Sequence, residues 1–173
     1  MYTEYQPSHL LAPYIDNYWE LKGSPEYGMR IHILPDGCTD FIFTLGEVAE
    51  TVEKESLIMQ PYRSYFVGPM TKFSELVTYA ESVHMFGIRF LPCGLSCFTK
   101  LPLHEFVNSR INTKEMRAIF DDTFVERLCG QEHIEGRIQL VEGYLLAYLA
   151  RHYQSADSHV AMAVNMINQS GGK

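Results

Sequence analysis

Histidine and cysteine are the residue types of this sequence that could bind a transition metal, but their spacing argues against a metal site. His32 lies in a predicted strand without a His-x-His pair or a following glutamate. Cys93 and Cys97, with His104, lack the second closely spaced pair that a zinc knuckle requires. We therefore predict no metal site and no cofactor.

Carboxylates could act in acid–base catalysis, and the candidates are Glu20, Asp36, Asp40 and Glu105. The sequence lacks a carboxylate pair at helical spacing beside a pocket, a Gly-rich phosphate loop and a Gly-x-Ser-x-Gly elbow. Turn, cap or surface roles account for these four residues better than catalysis does. We therefore expect a protein that is not an enzyme.

Aromatic residues are abundant, at 13% of the chain, and many lie in predicted strands. Because strand side chains alternate between two faces, every second ring points to the same side. These rings could line an apolar cavity for an organic ligand, or they could fill the core of a small barrel. The candidate ligand-binding rings are Tyr18, Trp19, Phe41, Phe43, Phe86 and Phe90, with Tyr14 as a further candidate.

Arg89 is the charged candidate for ligand binding, because it lies in the predicted strand 83–90 between Ile88 and Phe90. A guanidinium that faces a cavity could hold an anionic ligand by a bidentate contact. It could equally pair with an internal carboxylate such as Asp36 or Asp40, or lie at the surface. The sequence leaves these alternatives open.

The first half of the chain must position these residues, and its pattern is typical of strands and turns. Short β-branched and aromatic runs end at turn signals such as Gly23-Ser24-Pro25 and Pro35-Asp36-Gly37. Several short strands at close spacing indicate an antiparallel barrel or sandwich. The predicted strands are 15–21, 29–34, 39–45, 56–59, 65–67, 73–79 and 83–90.

After Gly94 the hydrophobic spacing becomes helical, which predicts a short segment at 95–100, a helix from Asn112 or Thr113 to 128 and a long helix at about 132–153. The long helix carries one apolar stripe, which could pack on its own barrel, on the same helix of a second subunit, or on both. Because two-fold homodimers are the commonest oligomers, we predict a dimer. The stripe consists of Ile134, Ile138, Val141, Leu145 and Tyr148.

Composition and charge indicate a globular protein that binds DNA poorly by itself. Of the 173 residues, 46% are hydrophobic and 20% charged, and the net charge of -7 opposes contacts with a phosphate backbone. The four cysteines form no dense framework, and the first residues have neither a basic leader nor a long apolar run. No run approaches the roughly 20 apolar residues that span a bilayer. We expect a cytoplasmic protein with no membrane role.

Four segments in the first 110 residues resemble one group of bacterial transcription regulators, the AraC type, in the domain of unknown function that precedes the DNA-binding domain. The match is one of pattern, carried by the order and spacing of the segments together. They are Pro7, Leu11, Tyr14-Ile15 and Tyr18-Trp19; Leu34-Pro35-Asp36-Gly37 with Asp40-Phe41-Ile42-Phe43; Val67-Gly68-Pro69-Met70-Thr71; and Gly87-Ile88-Arg89-Phe90-Leu91-Pro92-Cys93-Gly94.

The end of the chain resembles the beginning of the AraC-type DNA-binding region, through Asp157, Val160, Ala163, Ile167, Ser170 and Gly171. The resemblance implies a cupin-like β-barrel sensor, a helical dimerisation region and, in a full protein, a C-terminal DNA reader with two helix-turn-helix units. Cys93 departs from the pattern, because the family leads us to expect a second glycine there, and cysteine tolerates a positive φ less readily.

These observations predict an α+β protein with a cupin-like antiparallel β-barrel or sandwich at about 1–92 and helices at about 94–154. Residues 155–173 would be a linker and the first helix of a truncated DNA-binding domain. The predicted function is the sensing of a small molecule and the control of DNA binding by the missing domain. The alternatives are a cupin-like metal-dependent enzyme and a structural dimerisation module without a ligand.

Overall fold

A computed structural model describes residues 1–46, 49–51, 58–116 and 119–152 of the chain, together with residues 166 and 170. The predicted strand at 56–59 therefore lies only partly within the described residues. Most of the predicted linker and second helix at 155–173 lies outside them.

Within the described residues, ten strands form two antiparallel sheets. Sheet A has the strand order β1-β2-β9-β4-β7-β10, and sheet B has the order β3-β8-β5-β6. The strands are β1 Tyr2–Tyr5, β2 Ile15–Gly23, β3 Met29–Ile33, β4 Thr39–Thr44, β5 Ala49–Thr51, β6 Ile58–Met59, β7 Ser64–Val67, β8 Ser74–Thr78, β9 Val83–Phe90 and β10 Arg110–Asn112.

The path of the chain between the two sheets is that of a jelly roll. From β2 to β9 the chain passes repeatedly from sheet A to sheet B and back, and the outer pair β2 and β9 lie side by side. Cupins share this double-sheet architecture. The predicted α+β class, with a cupin-like antiparallel body followed by helices, is confirmed.

Turn residues place the strands as the sequence predicts. Gly37 has a φ of 73°, which glycine adopts without strain, and the Asp36 carboxylate accepts a hydrogen bond of 2.9 Å from the backbone of Cys38. This turn sends the chain from β3 in one sheet to β4 in the other.

Sheet A is covered on both faces, by sheet B on one side and by helices on the other. All six residues of β4 and all four of β7 are buried for this reason. The two faces give two separate cores. We call the first, between sheet A and the helices, the helix-side core, and the second, between the sheets, the inter-sheet core.

In the described part of the chain up to residue 152, the strands are followed by the α-helices α1 Asp122–Cys129 and α2 Ile134–His152. The predicted long helix is confirmed as α2. The predicted helix from Asn112 or Thr113 to 128 is wrong in its first half, because Arg110–Asn112 pairs with β7 and Thr113–Glu115 is a single 3-10 turn. The helix begins only where the Asp121 side chain caps it, accepting a 2.8 Å hydrogen bond from the Phe124 backbone.

Three short strands were not predicted, namely β1, β5 and β10. Two of them, β1 and β10, are the edges of sheet A, and β5 is only three residues long. Because β10 follows position 94, the predicted division into a barrel at about 1–92 and helices at about 94–154 misplaces one edge strand. Among the described residues, no helix is long and apolar enough to cross a membrane.

Candidate functional site

A cavity of about 230 Å³ lies between the two sheets, at the end where β2 ends and β9 begins. Sheet A contributes Leu21 and Met85, and sheet B contributes Met29 and Thr78. The remaining lining residues are Met1, Lys22, Gly23, Ser24, Pro25 and Val83.

The lining is mainly apolar, and its exposure to solvent increases from the inner to the outer part. Val83 and Met85 are 4% and 2% exposed, whereas Met1 and Met29 at the outer edge are 86% and 47% exposed. Methionine side chains are flexible and polarizable, so they adapt to ligands of different shape. The cavity therefore presents a mainly apolar and adaptable wall, with Lys22, Ser24 and Thr78 as its lining residues that carry polar side chains.

The pleat of sheet A decides which residues reach this cavity. On β2, Trp19 and Leu21 face sheet B, while Tyr18 and Glu20 face the helices; on β9, Met85 likewise faces sheet B. The same strands that line the cavity on one face therefore contact the helices on the other.

A polar cluster lies on the same face of sheet A, near the opposite ends of these strands. Asp40 accepts hydrogen bonds through Oδ1 from Trp19 Nε1 at 2.9 Å and from Arg89 Nε at 3.3 Å. Arg89 Nη1 also lies 3.5 Å from Asp36 Oδ2. Asn17 is next to Arg89 across the β2–β9 pair, and its buried Oδ1 has no hydrogen-bond partner among the described residues.

Burial sets the protonation behaviour of this cluster. It raises the pKa of Asp40, against the opposing effects of Arg89 and the hydrogen bond from Trp19. Burial likewise raises the pKa of the nearby Cys38 thiol to about 12, so this cysteine is not an activated nucleophile. The cluster is thus a set of ion pairs and hydrogen bonds that ties β4 to β2, β9 and the β3–β4 turn.

Trp19 belongs to the polar cluster through its indole nitrogen and requires a glycine beneath its ring. A Cβ atom at Gly87 would lie 1.9 Å from Trp19 Cε2, so only glycine fits at this position. The close approach holds the indole flat against β9, where its Nε1 reaches Asp40.

The predicted ligand-binding residues do not come together around the cavity. Five of them, Tyr18, Phe41, Phe43, Phe86 and Phe90, are at most 1% exposed and belong to the helix-side core. They pack against one another and against rings of the helical region, as the filled-core alternative describes. Trp19 and Arg89 face the other sheet, but neither lines the cavity, and the paired alternative for Arg89 is the one found. None of these seven residues lines this cavity, and their contact with a ligand stays a prediction.

The predicted dimer stripe packs on its own subunit. Val141 and Leu145 are fully buried in the helix-side core, so they have no surface left for a second subunit, and their assignment to a dimer interface is wrong. Ile134, Ile138 and Tyr148 are partly buried against the same core and keep some exposed surface.

The residues considered for metal binding or catalysis are dispersed. His32 pairs with Glu75 at 2.6 Å on sheet B, and Glu105 lies in a 3-10 turn. Cys93 adopts a φ of 67°, the left-handed conformation for which the sequence pattern led us to expect glycine. In the part of the chain that the structure describes, no three His, Cys, Asp or Glu residues are grouped as metal ligands.

The sequence analysis did not identify the cavity residues, because most of them have apolar side chains without a reactive or charged group. Leu21, Met29, Val83 and Met85 have the pattern of ordinary core positions, and only the packing of β2 and β9 of sheet A against β3 of sheet B brings them together. A usable signal was the alternation itself, since Leu21 and Met85 lie on the face opposite to Tyr18 and Phe86.

Comparison with known families gives one match. A family described as a domain of unknown function (DUF6597) matches residues 3–112, which hold the polar cluster, both sheets except Tyr2 and the cavity-lining residues except Met1. No curated protein sequence matches the chain.

Several solved structures are similar at low identity. The Cupin_2 domain of an XRE family transcriptional regulator from Enterobacter cloacae is 12% identical, with a TM-score of 0.43 over 53% of this chain and 96% of that one. ToxT from Vibrio cholerae is 8% identical, with a TM-score of 0.48 over 88% and 65%. A putative ethanolamine utilization protein Q from Salmonella typhimurium is 12% identical, with a TM-score of 0.40 over 51% and 67%.

Proposed function

This chain belongs to the DUF6597 family of domains of unknown function, and we propose for it the role of a ligand-sensing domain of an AraC-type transcription regulator. In this proposal a small, mainly apolar molecule binds between the two sheets. Binding then alters the packing of the helices that follow, without any chemical reaction.

The cavity of about 230 Å³ between the sheets is the observation that carries the proposal. An engineered apolar cavity of about 150 Å³ is known to admit benzene, whereas pockets for drug-sized ligands range over roughly 300–1,000 Å³. The volume therefore fits a molecule with one ring or a short branched chain. Met1 and Met29 at the outer edge leave a route from solvent.

The regulator part of the proposal rests on the sequence pattern. The four segments of the first 110 residues and the tail from Asp157 resemble AraC-type proteins, in which two helix-turn-helix units bind DNA. In this proposal the protein works in the cytoplasm as a homodimer and contacts DNA only through that further domain. Sequencing the gene beyond the codon for Lys173 tests this part of the proposal. We expect about 100 further residues with two helix-turn-helix patterns and more basic than acidic side chains.

Ligand binding can be tested by thermal unfolding in the presence of toluene, p-cresol, cyclohexanol and hexanoate, which differ in shape and polarity. A probe at a hundred times its Kd stabilises the native state by about 2.7 kcal/mol. For a chain of this size that corresponds to a rise in Tm of roughly 5–11 °C. We expect at least one of the four to give a concentration-dependent rise.

A variant with the cavity filled provides the control. Leu21→Phe places a ring in the cavity, while Leu34→Phe makes the same change at a side chain that is 72% exposed. The Tm rise should be lost in Leu21→Phe and kept in Leu34→Phe. If none of the four probes raises the Tm of the wild type, or if Leu21→Phe responds like the wild type, binding in this cavity is refuted.

A further inference from the structure

Arg137 of α2 is a buried cation whose only acidic partner among the described residues lies on sheet A. It is 4% exposed, and its Nη1 donates to Glu20 Oε1 at 3.2 Å. Its Nη2 donates to the backbone carbonyl of Gln131 at 2.6 Å, in the turn between α1 and α2. One guanidinium thus joins α2, the turn before it and β2.

Glu20 is in turn held by the neighbouring strand. His84 of β9 donates from Nε2 to Glu20 Oε1 at 2.7 Å, so that the same oxygen serves both the imidazole and Arg137. Side-chain exposures of 20% for His84 and 18% for Glu20 place this contact in a partly desolvated site, where charge-assisted hydrogen bonds are strongest.

These two residues alternate with residues that line the cavity. Glu20 directly precedes Leu21 on β2, and His84 lies between Val83 and Met85 on β9. A ligand that displaces the backbone of these strand ends therefore also moves Glu20 or His84 on the opposite face, because both belong to the same short strand ends. The bonds from His84 to Glu20 and from Arg137 to Glu20 are directional and have little tolerance for such a shift.

We propose that Arg137 is the residue through which occupancy of the cavity changes the position of α2. This inference rests on the proposed sensing function and names its transmission step. Such coupling requires two arrangements of α2 for which the occupied and empty cavity have different preferences. The Glu20–Arg137 contact is made in one arrangement and weakened in the other.

Hydrogen exchange measured by mass spectrometry tests the proposal without any ligand, because Leu21→Phe fills the cavity with the protein's own ring. We expect this variant to change the exchange rates of amides in the first half of α2 by about fivefold or more, the lower end of typical couplings. In an Arg137→Met background the same substitution should leave α2 exchange unchanged. Arg127→Met, at an exposed arginine of α1, is the matched control and should preserve the response.

Two outcomes overturn the proposal: no change in α2 exchange in Leu21→Phe itself, or an equal change in the presence and absence of Arg137. If Arg137→Met does not fold, Glu20→Gln replaces it, since it keeps the shape of the side chain but removes its charge. A diminished response in Glu20→Gln supports the proposal, and a full response refutes it. Failure of the four probes to bind would refute the sensing function instead, so the two failures are distinguishable.

Discussion

The two faces of sheet A are packed in different ways. On the helix side, Phe43 is fully buried between Phe86, Phe120 and Phe124, with ring centroids 5.7–6.3 Å apart. On the side facing sheet B, one end of the interior holds the ion pair of Arg89 with the buried Asp40, and the other holds a cavity bordered by methionines.

The difference shows that aromatic density marks a structural core in this molecule. Rings in mutual edge-to-face contact bury large areas and fix one arrangement, which suits the attachment of helices to a sheet. Flexible thioethers beside an unfilled space permit more than one arrangement. Substitutions on the two faces should therefore differ in what they change: on the helix side stability alone, and between the sheets ligand response as well.

The largest expected effect is that of Phe43→Ala, on the helix side. Deleting a fully buried phenylalanine ring removes its transfer free energy and leaves a cavity, which typically costs about 3–5 kcal/mol. Urea unfolding followed by circular dichroism measures the loss. Leu10→Ala, at a side chain that is 55% exposed, is the control and should cost far less. A loss for Phe43→Ala below that of Leu10→Ala would contradict the structural role of the rings.

Between the sheets, the next largest effect is expected for Gly87→Ala. The added methyl would overlap the indole of Trp19, and overpacking of this kind costs typically about 1–3 kcal/mol. Trp19 is the only tryptophan, so its fluorescence reports directly on the displaced ring and on its bond to Asp40. The control is Gly143→Ala, because a Cβ atom there has nothing within 4 Å. Unchanged fluorescence and stability in Gly87→Ala would contradict the close contact.

The sequence predicted the strands of the body well, because β2, β4 and β9 combine aromatic and β-branched runs with strong turn signals. The prediction from sequence was wrong where tertiary contacts override the local hydrophobic pattern. Residues 112–121 have helical spacing, but pairing of Arg110–Asn112 with β7 takes the chain into sheet A first. The predicted ligand-binding residues lie away from the cavity for a related reason. Periodicity shows that a strand has two faces, but it does not show which face packs against the helices.

A smaller effect, visible mainly in its pH dependence, is expected for Asp40→Asn. The variant loses the ion pair with Arg89 but also the cost of burying a charge, and Arg89 stays partly exposed and paired with Asp36, so near neutral pH the opposing effects should largely cancel. Because burial raises the pKa of Asp40 in the folded state, the native protein binds more protons than the unfolded chain just above the ordinary aspartate pKa. In that window the wild type loses stability as the pH rises.

Urea unfolding at several pH values from about 4 to 7 tests this sign, since model aspartates titrate near 3.9. The stability of the wild type relative to Asp40→Asn should fall as the pH increases through this range. Glu26→Gln, at an exposed carboxylate, should follow the wild type. A difference between the wild type and Asp40→Asn that rises with pH would show that Arg89 outweighs burial and lowers the pKa instead.

Met29→Leu should have the smallest effect on stability and the most specific effect on binding. Met29 is 47% exposed and has a similar volume to leucine, so the free energy of unfolding should change by no more than about 0.5 kcal/mol. Its side chain nevertheless forms part of the cavity wall, and a branched side chain cannot adapt as a thioether does. The ratio of the toluene and cyclohexanol affinities, measured by titration calorimetry, should therefore change. Leu34→Met, exposed and outside the cavity, should leave the ratio as it is; an unchanged ratio in both variants would mean that the wall at Met29 does not select the ligand.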